Sequence, residues 1–441
     1  MTQFRVLPMR TGDACLLCGA RGNYLVDGGG PESGLPSMLA DRRVRKLRAA
    51  VCSLACPERL GGVLELMEAG ACVAEYWLPE GLESLPGAAC RFNGDWTGWQ
   101  RLVLGSDAVP GVTPGVPLPP PCAQSGQAAL RLHGSAMLIA LALSCLDGDS
   151  GKAELSLALA AQAGTVAAGQ PPCGGESSLR RFLGRALVAL AVRAARRGGV
   201  VGGPTARSLC VAGCRQMTGS GLAGLALLCG RLLLDEAPGN SARAAIVRGL
   251  GLAAMAAALL SVQRARLRFF ALSPQLQSGL VARHPIKCLN GVEADPLAGL
   301  PEQVGPELLR QQVRRLADPD NGLVFVYGDA GCGALFCGDT RLKFLGRGEA
   351  VRLDRPTVVA APRQGSVTAD RAYGAIVSDD SSRDVWVRGF LPASRKVAPG
   401  FKAQGVKVCL NNCRTLAMQE ILLEFAGGRW NREAGDECVF G

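Results

Sequence analysis

Histidine is nearly absent from this chain: 441 residues carry 2 of them, His133 and His284. Two imidazoles cannot furnish a histidine-rich dinuclear metal centre, so that class of hydrolase chemistry is closed to it. Long apolar runs are missing too. The three most apolar stretches, Leu132 to Leu146, Gln216 to Gly230 and Gly249 to Gln263, each run about 15 residues between charges, short of the ~20 that span a bilayer. They read as core helices, and no membrane span is expected. The start, Met1-Thr2-Gln3-Phe4-Arg5 with Asp13 close behind, has no continuous apolar segment ending in a small-residue cleavage site. A secretory signal is therefore not expected, and the cytoplasm is the expected compartment. No repeat period is visible, and Leu, Val and Ala are abundant throughout, so collagen-like and largely disordered readings fail despite Gly 58 and Pro 26.

What is present is a large stock of core-forming residues. Hydrophobic side chains make up 48% of the 441 residues, enough for two to three domains. The 18 cysteines are scattered and often sit in apolar strings such as Ala14-Cys15-Leu16-Leu17-Cys18, which suits reduced, buried thiols better than a disulfide framework.

The first segment alternates like sheet: Phe4-Arg5-Val6-Leu7, Ala14 to Cys18 and Tyr24-Leu25-Val26 are separated by tight turns. A strand at Ala49-Ala50-Val51-Cys52, a helix from about Leu60 to Ala69 and a strand at Ala74 to Leu78 follow. Six prolines between Val109 and Pro121 mark a linker or extended loop. From about Ala123 to Val262 the chain is rich in Ala and Leu and reads as a helical block. Strand character returns at Arg266 to Phe270, Gly322 to Tyr327, Gly333 to Cys337, Thr357 to Ala360 and Val385-Trp386-Val387. This order predicts an α/β fold in two halves, 1–110 and 265–400, with a Pro-rich linker and helical insertion over 111–264 and a cysteine-containing segment over 401–441.

Several segments, in this order, resemble a known family: Thr11-Gly12-Asp13-Ala14, Leu25-Val26-Asp27-Gly28-Gly29, Val51 to Gly62, Leu335-Phe336-Cys337-Gly338-Asp339-Thr340, and Val358 to Ser366. The chain resembles metallo-β-lactamase-fold proteins, specifically the competence-type (ComEC-like) hydrolase domain of DNA-uptake channel proteins. The resemblance implies an αββα metallo-β-lactamase-like sandwich with a large helical insertion. It also implies a metal site, since the family's Thr-His-x-His/Asp-x-Asp-His-x-Gly-Gly motif holds one or two metal ions that polarise an ester and generate hydroxide. Aligned on Gly61-Gly62, the corresponding positions here are Leu54, Cys56, Glu58 and Arg59, and the family's Pro-His-His-Gly-Ser is Pro362-Arg363-Gln364-Gly365-Ser366. Of the metal-holding set, Asp339 alone keeps the family's residue. The resemblance thus implies a vestigial site of Leu54, Cys56, Glu58, Arg59, Asp339, Arg363 and Gln364, without catalytic residues or a bound cofactor. An arginine there places a permanent positive charge where a cation should sit. Arg59 or Arg363 is expected to pair with Asp339 or Glu58 instead.

Cys409 and Cys413, with Cys438 further on, are candidate zinc ligands as an alternative to free thiols, although no fourth ligand is evident. Basic residues concentrate at Arg42 to Arg48, Arg180 to Arg197 and Arg264 to Arg268, and the net charge is +11. Arg-rich faces of this kind suit nucleic-acid backbones, but no nucleic-acid module or aromatic stacking series accompanies them. His133 and His284 are isolated and read as structural.

The expected function is that of a catalytically degenerate protein, a scaffold or regulatory subunit in a bacterial multi-protein system, with the helical insertion as its protein-binding surface. A part in defence is implied by the resemblance alone. Two alternatives stand beside it: a metal-dependent phosphodiester hydrolase or nuclease with an altered site built from Asp339, Glu58 and Cys56, and a non-catalytic nucleic-acid-binding module.

Overall fold

The computed structural model describes residues 1–30, 33–69, 71–81, 265–273, 275–277, 285–294, 315–316, 318–329, 331–389, 396–410 and 418–438. The chain divides into two compact units: Met1–Glu80 with Ala265–Asp295 and Arg315–Gly441, and Gly81–Arg264 with Pro296–Arg314. The described residues, Gly81 apart, belong to the first. The Pro-rich linker, the helical block, His133, His284 and Cys413 lie outside the described residues.

The short alternating segments near the start form β1 (Thr2–Val6), β2 (Cys15–Gly19) and β3 (Gly22–Val26), an antiparallel meander turned by glycines. Then come α1 (Leu35–Asp41), β4 (Lys46–Leu47), β5 (Ala49–Val51), α2 (Pro57–Glu68), β6 (Cys72–Val73) and β7 (Glu75–Pro79). The second stretch supplies β8 (Arg266–Leu272), β9 (Ile286–Cys288), β10 (Gly291–Ala294), β11 (Phe325–Asp329), β12 (Cys332–Phe336), β13 (Val351–Leu353), β14 (Thr357–Ala360), α3 (Asp370–Tyr373), β15 (Ile376–Ser378) and β16 (Val385–Arg388). Finally α4 (Pro399–Lys402) leads to β17 (Val406–Cys409), β18 (Ile421–Ala426), β19 (Arg429–Ala434) and β20 (Asp436–Glu437). Two sheets dominate, of nine strands (β10-β8-β7-β5-β3-β2-β1-β18-β19) and seven strands (β20-β17-β16-β14-β12-β11-β9).

The expected αββα metallo-β-lactamase-like sandwich is corrected by this architecture. The described residues are mostly β, with few and short helices: α2 has 12 residues, α1 has 7, and α3 and α4 have 4 each. Parallel steps run β3 to β5 to β7 to β8 and β12 to β14 to β16 to β17. Moreover β4 stacks on β6 as β5 stacks on β7, and β13 stacks on β15 as β14 stacks on β16. Successive windings therefore lie on one another in register, and the parallel part of the chain is coiled as a β-solenoid of about six turns. The reason is local. Parallel strand order usually calls for helical crossovers, but the crossing segments between β12 and β17 are rich in Gly, Asp, Ser and Arg and form short strands, 3-10 turns and four-residue helices instead.

One apolar core draws on both large sheets, with Phe4, Tyr24, Val26 and Val51 from the first and Phe325, Phe336, Val358 and Val387 from the second. A second core covers the other face of the seven-stranded sheet, where Leu335, Val359 and Trp386 meet Tyr373 of α3 and Phe401 of α4. β12 is buried at every position because its alternate residues serve the two cores. Among the described residues no helix is long and apolar enough to cross a membrane.

Candidate functional site

Three turns at strand ends and the start of one helix bring charge into one place. Asp13 sits in the turn before β2, Asp27 directly after β3, and Asp339 in the turn after β12. Arg59 lies in the first turn of α2, which Pro57 opens; proline is suited there because its missing N–H has no helical partner to lose. Gly12 and Gly338, both left-handed, bring these turns close. A Cβ at Gly12 would lie 1.7 Å from the Glu58 carbonyl oxygen, and one at Gly338 would lie 2.9 Å from Ser53 Oγ.

Arg59 is 1% exposed and is the hub of the site. Its Nη1 donates to Asp13 Oδ2 at 2.6 Å and to Asp27 Oδ2 at 3.0 Å. Its Nη2 and Nε donate to the two oxygens of Asp339 at 2.9 and 3.3 Å, the two-pronged geometry a guanidinium favours. Ser53 completes Asp27, donating from its backbone N–H and its hydroxyl at 2.7 Å each. Gln364 Nε2 donates to Asp13 Oδ1 at 3.3 Å. Arg363 stays out of the carboxylates: its Nε donates to the Asp339 backbone carbonyl at 2.7 Å.

The electrostatics follow from three carboxylates around one guanidinium. Burial works against the charge on Arg59, but Asp339, Asp13 and Asp27 together hold its pKa well above the usual arginine value. Burial raises Asp27 to about 6, with Arg59 and Ser53 pulling the other way. Burial raises Asp13 as well, opposed by Arg59 and reinforced by Asp339.

The segments that carry the family resemblance thus converge, with Asp13, Asp27, Arg59, Asp339 and Gln364 in mutual contact. The other expected site residues stand apart. Leu54 is buried and lines a small recess with Phe270, Glu80 and Arg315. Glu58 is exposed and takes no part in the Arg59 pairing. The Cys56 thiol is pushed well up by burial, with Glu58 and Asp339 adding to the shift, which makes it a poor nucleophile or ligand. Sequence alone does not single out Asp13 and Asp27 as site residues. Their signal is position alone, an aspartate in each of two glycine-containing motif segments.

The metal that the resemblance implies does not fit this donor set. The guanidinium occupies the point towards which the three carboxylates converge, within 2.6 to 3.3 Å of all of them, and its charge is permanent. Among the described residues no group of three or more His, Cys, Asp or Glu is placed to hold a metal ion. Cys409 and Cys438 are both buried in the second core, one at the end of β17 and one just past β20, where Cys438 N–H donates to the Lys407 carbonyl at 2.9 Å. No protein-family model, curated protein or solved structure matches this chain.

Proposed function

We propose that the chain is a non-catalytic scaffold or regulatory protein. The observation that carries this reading is Arg59, 1% exposed and bound to Asp13, Asp27 and Asp339 at once. A side chain held by four charge-assisted hydrogen bonds does not leave easily to admit a divalent ion or a substrate phosphate. The cluster then serves as a structural clasp joining turns of the nine-stranded and seven-stranded sheets, and function moves to the surface.

The alternative hydrolase built from Asp339, Glu58 and Cys56 is disfavoured by the same geometry, because Glu58 is exposed outside the cluster and the Cys56 thiol stays protonated. Turnover of bis(p-nitrophenyl) phosphate and of plasmid DNA with added manganese or zinc is the test, beside isolation of the tagged chain from its source cells. The proposal expects no turnover that depends on Asp339 and a stoichiometric partner protein that Asp339→Asn retains. Metal-dependent hydrolysis abolished by Asp339→Asn would overturn it.

A further inference from the structure

The turn between β2 and β3 and the short strand β4 gather cations that nothing in the charge cluster uses. Arg21 occupies the β2–β3 turn, and Arg43, Arg45, Lys46 and Arg48 follow α1; all five are exposed. Backbone bonding locks the two segments together. Arg48 N–H donates to the Asn23 carbonyl at 2.7 Å, and Asn23 Nδ2 donates to the Lys46 carbonyl at 3.1 Å. A Cβ at Gly22 would lie 3.5 Å from that of Arg48, and the Tyr24 hydroxyl, raised in pKa by burial, is drawn back by both Arg48 and Arg21.

These cations are poorly compensated. Among the described residues Arg43, Arg45, Lys46 and Arg48 make no ion pair, whereas their neighbour Arg42 is bound by Glu420. Arg21 approaches Asp329 at 3.9 Å. Glu75, an acid that acts on Tyr24, is engaged by Trp77 and Arg268. The exposed acid in the run is Asp41. Like charges set side by side on ordered backbone repel, and the repulsion is relieved by a partner that brings several negative charges at a regular spacing.

We infer that Arg21, Arg43, Arg45, Lys46 and Arg48 form a binding surface for the phosphate backbone of nucleic acid. A backbone rather than bases is indicated because Tyr24, the ring beside the patch, is 1% exposed and offers no stacking face. A nucleic acid rather than an anionic membrane is indicated because Arg21 sits in a strand turn and Lys46 on a two-residue strand, so the patch has no amphipathic helix to lay an apolar face into a bilayer. The patch and the Arg59 clasp sit at opposite ends of β3, roughly 16 Å apart at ~3.3 Å per residue, so either can fail without the other.

The experiment is fluorescence anisotropy of a labelled DNA duplex with the full chain, over salt from about 50 to about 200 mM. The proposal expects Arg45→Glu/Lys46→Glu/Arg48→Glu to weaken binding at least tenfold and to flatten the slope of log affinity against log salt by about 3, roughly 0.9 for each phosphate no longer neutralised. The same charge change at Arg347, Arg352 and Arg371, exposed residues in the loop before β13, on β13 and on α3, should leave both within about twofold. If the first triple variant fails to fold, Arg45→Glu and Lys46→Glu are read singly, each removing about one unit of slope. Absence of binding by the unaltered chain at the lowest salt overturns the inference. So does equal loss in both triple variants, which shows net charge alone at work, or patch-dependent binding to phosphatidylserine vesicles without binding to the duplex.

Discussion

Arg59 binds three carboxylates, where its motif position implies one. An ion pair with Asp339 is legible from the motif positions, because an arginine beside an aspartate in a buried turn must be neutralised. Asp13 and Asp27 as further partners are not legible, since nothing in a single chain distinguishes an aspartate that caps a turn from one that faces inward. Their presence changes the expected energetics. Arg59→Ala strands the buried Asp27 and the half-buried Asp13 and Asp339, and should cost roughly 3–5 kcal/mol, the range for a broken buried pair. Asp339→Ala leaves Arg59 two partners and removes a carboxylate that is 26% exposed, so its cost should be smaller than that of Asp27→Ala, whose carboxylate is 4% exposed. Urea denaturation of the three variants checks the order.

Asp27 also makes stability depend on pH. Its folded value of about 6 lies above the unfolded value near 4, so between those two pH values the folded state holds a proton that the unfolded state has released. The contribution of this group is therefore present in acid and lost as pH rises from about 4 to about 6. The difference in thermal midpoint between the unaltered chain and Asp27→Asn should narrow as pH rises through that window. A difference that widens over the same range would contradict the assignment.

At the level of elements, α2 shows why a motif is easier to recognise than to interpret. The sequence predicts the helix from about Leu60, whereas it runs over Pro57–Glu68, so the motif glycines Gly61 and Gly62 lie inside it. Gly62 is there for proximity: a Cβ would stand 2.0 Å from the Gly28 carbonyl oxygen, beside the backbone bond from Gly28 N–H to the Arg59 carbonyl at 2.8 Å. Helix propensity alone makes Gly62→Ala stabilising by ~1 kcal/mol. The packing reverses the sign, and the variant should lose roughly 1–3 kcal/mol in denaturant titration. The turn carrying Arg363 and Gln364 is a second case. Both residues adopt left-handed φ, at 48° and 58°, and Gly365 follows at 81°. Only the glycine advertises such a turn in sequence.

Across the whole molecule, strand positions are legible from period-two alternation and apolar runs, while the winding is not. Parallel order implies helical layers, yet the crossings here hold short strands that stack in register, a feature written in pairing between distant segments rather than in any local pattern. The C-terminal strands illustrate this. β18 pairs with β1 over five residues from opposite ends of the chain, and Ile421, Leu423 and Trp430 are buried in the core shared by both sheets. Truncation after Leu410 should thus abolish cooperative unfolding, as judged by circular dichroism, because it uncovers both β1 and that core.

The cation of the converged site is Arg59. Metal content of the chain purified without chelator tests it most directly, by elemental analysis of the unaltered protein beside Asp339→Ala and Cys409→Ser. No stoichiometric metal that depends on Asp339 is expected, and a zinc lost only on Cys409→Ser would belong to the C-terminal cysteines and leave Arg59 as the cation of the site. One tightly held zinc or manganese per chain, lost on Asp339→Ala, would contradict it.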